Sequence, residues 1–152
     1  MIYRFRRDWK VLLVSILTIV VIPIVLCTAW FVDGDVEALI ALPLWLLLMV
    51  GITLRTPRYF YIEKNLIIVK FFLGSKVLDD IRSVRPIEVS EIRRGSRTFG
   101  NGGFMGYTGY FHSKELGSFQ ILAVNKEELA LVTLNNGKKY VINYPKELLK
   151  QS

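Results

Sequence analysis

One histidine, one cysteine and one scattered group of carboxylates are what this sequence offers for catalytic or metal chemistry. His112 has no companion at a metal-ligand spacing, so it is expected to be a hydrogen-bonded edge residue rather than a catalytic base. Glu63, Asp79, Asp80, Glu88 and Glu91 could supply a carboxylate pair for proton transfer, but acidic residues in turns are ordinary and no nucleophile motif accompanies them. Cys27 is the single cysteine and lies in an apolar run, which excludes a disulfide or a cysteine metal site within one chain. The expectation is a protein that is not an enzyme and uses no cofactor and no metal.

Two other groupings have binding chemistry. Arg82, Arg85, Arg93, Arg94 and Arg97 form the densest basic region, suited to phosphate or carboxylate, or simply a solvated face near an anionic membrane. Residues 95–109 interleave Gly95, Gly100, Gly102, Gly103, Gly106 and Gly109 with Phe99, Phe104, Met105 and Tyr107. As a phosphate cradle this loop lacks the lysine-serine pair of a P-loop and does not lead from a strand into a helix. As a membrane-dipping loop it would place aromatic tips in the interface while arginines meet lipid phosphates. The plainer alternative is a bulged connection whose aromatics fold back on the core. The candidate contact set for lipid or a protein partner is therefore Arg93, Arg94, Arg97, Phe99, Phe104, Met105 and Tyr107. Lys138 and Lys139 are expected to be solubilising. Arginines beside aromatics also suit nucleic acid, but there is no RNP-like sequence and the chain reads as membrane-attached.

That attachment comes from two uncharged runs. Residues 11–32 would reach about 33 Å as a helix and residues 38–54 about 26 Å, so both predict transmembrane helices. The first run is too long for a signal-peptide core and is followed at once by the second, which argues against cleavage. Neither run has the polar face of a buried soluble hairpin, and Pro23 and Pro43 are tolerable in lipid. Arg4, Arg6, Arg7 and Lys10 precede the first run, and Arg55, Arg58 and Lys64 follow the second. Asp33, Asp35 and Glu37 lie between, without lysine or arginine. The positive-inside rule then puts both termini in the cytoplasm. Residues 1–56 read as the anchor and 57–152 as a cytoplasmic domain, and the part of the chain from Arg55 onward by itself carries the net charge of +7.

Beyond Pro57 the signals are those of short strands. Residues 58–63 and 66–72 flank the turn Lys64-Asn65, and residues 129–134 and 139–143 flank Asn135-Asn136-Gly137. Residues 76–78 predict a third strand and the rhythm Ile81, Val84, Ile87, Val89, Ile92 a fourth. After the glycine-rich loop come Tyr110-Phe111 and residues 119–125, and Pro145 opens a short terminal helix. Six or seven antiparallel strands with a terminal helix predict a small barrel or orthogonal sandwich.

Over about the last 95 residues this pattern resembles the bacterial pleckstrin-homology-like (PH-like) domains carried behind membrane helices. The resemblance rests on Tyr61-Ile62-Glu63 with Leu66-Ile67-Ile68, on Leu78-Asp79-Asp80-Ile81-Arg82-Ser83-Val84, on the stretch 97–111 with Leu116-Gly117, and on the closing 136–145 hairpin. It implies a PH-like barrel with a short C-terminal helix, placed at the bacterial inner membrane by a two-helix hairpin. It implies no activity and no agreed ligand. The chain departs from it in its terminal helix, which has room for only about seven residues, so either that helix is short or something else covers that end of the barrel.

A non-catalytic module that engages anionic headgroups or a protein partner at the membrane is the leading expectation. An assembly subunit bound through its transmembrane helices is the competing one, and the oligomeric state is open, a homo-oligomer included.

Overall fold

The computed structural model describes residues 1–34, 36–63, 65–93, 96–102 and 106–149, and of residues 93, 97, 99, 101 and 102 it describes the backbone alone. Helix α1 (Trp9–Asp33) starts on Asp8, whose extended backbone and carboxylate, accepting from the Lys10 N–H at 3.2 Å, cap the first turn. It ends on Gly34, in the left-handed region at φ 69°, whose N–H returns to the Ala29 carbonyl. Helix α2 (Val36–Leu54) follows directly and packs against it.

The two helices, about 38 and 29 Å long, are long and apolar enough to cross a membrane. Val11, Ser15 and Ala38 are the buried residues of the two helices, while large apolar groups such as Leu12, Ile16 and Leu47 are exposed. The hydroxyls of Ser15, Thr18, Thr28 and Thr53 donate to carbonyls three or four residues back, so these polar groups need no water.

The rest of the chain is mostly strand. One sheet contains β1 (Ile2–Tyr3), β2 (Pro57–Glu63), β3 (Leu66–Phe71) and β4 (Ser75–Leu78), all antiparallel and in that order. The other contains β5 (Ile81–Pro86), β6 (Ser96–Gly102), β7 (Tyr107–Ser113), β8 (Gly117–Ala123), β9 (Leu129–Leu134) and β10 (Lys139–Asn143) in the order β5-β9-β10-β8-β7-β6. Helix α3 (Val89–Arg93) follows β5, and α4 (Lys146–Leu149) ends the described chain.

Alternation with period two builds the core. Phe60 and Ile62, Ile67 and Val69, Val132 and Leu134, and Tyr140 and Ile142 pack between the two sheets with Leu78 and Leu122. Lys76 of β4 reaches across to the second sheet, its ammonium 2.6 Å from the Gln120 side-chain oxygen Oε1 and 4.5 Å from the Tyr140 ring centre. The second sheet has an apolar outer face as well, where Ile121, Leu131 and Val141 meet Phe119, Ile87 and the α3 residues Val89 and Ile92. Burial on both faces explains why β9 and β10 read as near-continuous apolar runs.

Four expectations change. The barrel is not closed: among the described residues no strand of one sheet pairs with a strand of the other. Asp80, at φ 54°, turns the chain between sheets, and its carbonyl and carboxylate accept from the Asn135 N–H at 3.0 Å and the Asn135 side chain at 2.6 Å. This draws β5 onto β9 instead of β4. The apolar rhythm expected to continue as strand through Ile92 turns into α3 after Pro86. Within residues 95–109, expected as a loop, Ser96–Gly102 form the whole of β6 and residues 107–109 start β7, with a bulge between Arg97 and Phe99. Finally, β8 and β10 are parallel, so the second sheet is mixed.

An unexpected strand answers the question of the short terminal helix. β1 pairs with β2, Ile2 opposite Tyr61 and Tyr3 opposite Phe60. Tyr3 and Phe5 then pack on the inter-sheet core beside Tyr144 and Leu148, with the Phe5 ring edge-on to Phe60 at 5.5 Å. The segment ahead of α1 thus shares with α4 the work of covering that end.

Candidate functional site

The base of the domain, where both helices meet the sheets, gathers side chains from distant parts of the chain. Helix α2 unwinds through Arg55 and the buried Thr56 into β2. The Leu73 N–H bonds to the Leu54 carbonyl at 3.5 Å, which holds the β3–β4 turn against the end of α2. That turn presents Phe72 and Leu73, 59% and 76% exposed, and the Arg58 guanidinium lies over the Phe72 ring at 4.7 Å. Trp9, at the start of α1, is 65% exposed. Apolar and aromatic groups bared at a helix end are what a membrane interface accommodates.

The β6–β7 hairpin reaches the same base. A methyl placed on Gly106 would stand 3.6 Å from the Thr56 side chain and 3.0 Å from the Ala123 carbonyl oxygen. Next to it Tyr107 is half-buried, with the Lys126 ammonium 4.7 Å from its ring centre. Burial, and secondarily the Asp8 carboxylate, raises the Tyr107 pKa above its ordinary value.

The segment before α1 completes the base. The Asn125 side chain donates to the Arg6 carbonyl at 2.7 Å, and Asn125 is itself held by the fully buried Asn143, whose amide reaches the Asn125 oxygen at 2.6 Å and the Glu127 carbonyl at 2.7 Å. Between this segment and the start of β2 opens a cleft of about 200 Å³, lined by Arg4, Phe5, Arg7, Pro57, Arg58 and Val124.

The residues singled out in the sequence are distributed along the hairpin. Tyr107 pairs with Gly102 at the basal end, Phe99 with Tyr110 in the middle and Arg97 with Phe111. From Tyr107 to Phe111 is about 13 Å of strand. Arg93, which ends α3, precedes β6 and so joins the hairpin at the end away from Tyr107. Arg94, Phe104 and Met105 lie outside the described residues, as do the side chains of Arg93, Arg97 and Phe99. Arg85 is engaged by Glu91 at 3.0 Å, an exposed pair worth at most about 1 kcal/mol.

Four of the candidate chemical groups, Asp80, Glu88, Glu91 and His112, have local partners. His112 Nδ1 lies 3.0 Å from the Ser118 hydroxyl, its cross-strand partner. Glu88 accepts from Ser90 and Glu91 from Arg85. Among the described residues no group of three or more His, Cys, Asp or Glu is arranged to hold a metal ion.

Sequence reasoning used Arg4, Arg7 and Arg58 only as orientation charges and missed Phe5 and the strand. A period-two signal was present, with Tyr3 and Phe5 alternating with Arg4 and Arg6, but it is short and abuts a helix.

A family model described as a bacterial PH domain matches residues 57–149. No curated protein and no solved structure matches the chain.

Proposed function

The chain belongs to the bacterial PH domain family, and from that premise we propose that it is a membrane-anchored, non-catalytic binding module that engages anionic lipid headgroups. The observation that carries this reading is the pairing of β1 with β2, which ties the segment before α1 to the segment after α2. Both ends of the helical pair therefore emerge on the same side, and the domain is clamped to the base of its own anchor. Lys10, Arg55, Arg58 and the N-terminal arginines collect there, each able to add about 1 kcal/mol of attraction near an anionic leaflet. Their excess over the acidic turn between the helices favours the cytoplasmic face of the bacterial inner membrane. Exposed Phe72 and Leu73, and the hairpin end at Tyr107, are placed to enter the interface.

Hydrogen exchange of the full chain in nanodiscs tests it. Amides of the β3–β4 turn and of the hairpin around Tyr107 should be more protected in anionic than in neutral bilayers, and the difference should shrink at high salt. Identical exchange in both bilayers would remove the lipid reading. Changing Arg93, Arg94 and Arg97 to Ala in the same assay tests whether the upper hairpin takes part.

A further inference from the structure

The cleft between the N-terminal segment and β2 has its own ligand chemistry. Three of its six lining residues are arginines, and none is acidic. With a water occupying about 30 Å³, a volume of about 200 Å³ admits a phosphate group with some of its hydration. Three arginines bordering one space suit a tetrahedral anion, which a guanidinium reaching into that space can meet with paired N–H donors.

The arginines stand on a fixed frame. Tyr3 is paired in β1, the Phe5 ring packs edge-on to Phe60, and the Arg6 carbonyl is held by Asn125, so the backbone on either side of Arg4 and just before Arg7 is tied down. Arg58 is steadied over Phe72. Preorganisation of this kind lowers the entropy lost when a ligand is gripped. Arg7 lies two residues before α1 and Arg58 four residues after α2, so the cleft opens where the helices leave the domain, the level at which lipid phosphates lie.

Resting on the membrane-module reading above, we infer that Arg4, Arg7 and Arg58 form a phosphate-binding cleft whose ligand is the headgroup phosphate of an anionic membrane lipid. A soluble phosphate ester offers the same chemistry, so the test separates the two sources.

The full chain in neutral detergent is incubated with equal amounts of phosphatidylglycerol and phosphatidylcholine, or with glycerol 3-phosphate, and the retained ligand is read by native mass spectrometry. Phosphatidylglycerol should be retained preferentially. Arg4→Gln with Arg58→Gln, both at exposed positions, should reduce that preference by about thirtyfold, roughly fivefold for each charge removed. Lys114→Gln with Lys138→Gln, both exposed, removes the same charge away from the cleft and should leave it intact. An unchanged melting temperature establishes that the first variant is folded, and if it is not, Arg58→Gln alone, with its fivefold loss, takes its place. Equal loss in both double variants, or no loss in either, overturns the cleft while the lipid reading stands. Retention of glycerol 3-phosphate but not of phosphatidylglycerol overturns the lipid assignment. No preference by the wild-type chain for anionic over neutral lipid overturns the membrane-lipid reading itself.

Discussion

Asn143 has no exposed surface, and its side chain meets four backbone or amide groups: it accepts from the Val124 N–H at 2.8 Å and donates to the side-chain and backbone oxygens of Asn125 and to the Glu127 carbonyl. Asn143→Ala would leave those groups buried without partners, at about 1–3 kcal/mol each before relaxation. A loss of more than about 2 kcal/mol in denaturant unfolding is expected, together with faster exchange at the amides around Arg6, because Asn125 would lose its support. Phe5→Ala removes a partly buried ring and its edge-on contact with Phe60 and should cost less than Phe60→Ala, which empties a fully buried site at about 3–5 kcal/mol. Equal losses would show that the N-terminal cover is as integral as the core. Titration gives a further test. Burial raises the pKa of Tyr107, Tyr140 and Tyr144 above 10.0, with smaller contributions from Asp8, Tyr110 and Tyr3 respectively. Their stabilisation is complete below about pH 10 and is lost as pH rises from there through the folded values, because the unfolded chain releases its protons first. Lys76 works in the opposite sense: burial and then Lys138 lower its pKa, so its penalty on folding is relieved as pH climbs toward 10.5. Tyr140→Phe with Tyr144→Phe should flatten the alkaline fall in stability, and an unaltered slope would show that these phenols titrate normally.

At the scale of the element, the β6–β7 hairpin depends on backbones that approach closely. Gly100 sits opposite Gly109 at φ 140°, and a Cβ there would collide with the Gly109 Cα and the Thr108 carbonyl oxygen. Gly137 is also at positive φ, 81°, but has open space around it. Gly137→Ala should cost about 1 kcal/mol for its backbone conformation alone. Gly100→Ala should cost more and abolish protection of the β6–β7 amides while β9 and β10 stay protected; comparable effects of the two substitutions would mean that the hairpin adjusts freely. The glycines that made residues 95–109 look like a loop are thus partly the means by which two strands pair. Helix α3 was misread because its apolar residues Val89 and Ile92 are three apart, a spacing that also fits an irregular strand, and only the outer face of the second sheet decides between them.

For the molecule as a whole, the N-terminal segment is structurally part of the domain that begins some fifty residues later. A fragment starting at Pro57 lacks β1, Phe5 and the Arg6 carbonyl that Asn125 holds, so it should unfold at lower denaturant than the same fragment supplied with residues 1–8 as a peptide. An absence of any peptide effect would show that the domain is self-sufficient. The fragment would also lack two of the three arginines of the cleft, so its lipid preference would understate that of the full chain.

Local patterns determined much of this protein. Two uncharged runs sufficed for two helices able to cross a membrane, because that ability needs only length and apolarity, and alternation around tight turns sufficed for β2–β3 and β9–β10, because a hairpin pairs neighbours. The tertiary structure decided whatever joins residues far apart. Nothing near Gln120 announces that it lies beside Tyr140 in a parallel pair, and nothing near Asp80 announces that its bond to Asn135 directs β5 away from β4. Nor do Arg4 and Arg58, more than fifty residues apart, signal one cleft. Its existence rests on strand pairing, Phe5 packing and the Asn125–Asn143 network, whose energies arise only once those segments have met.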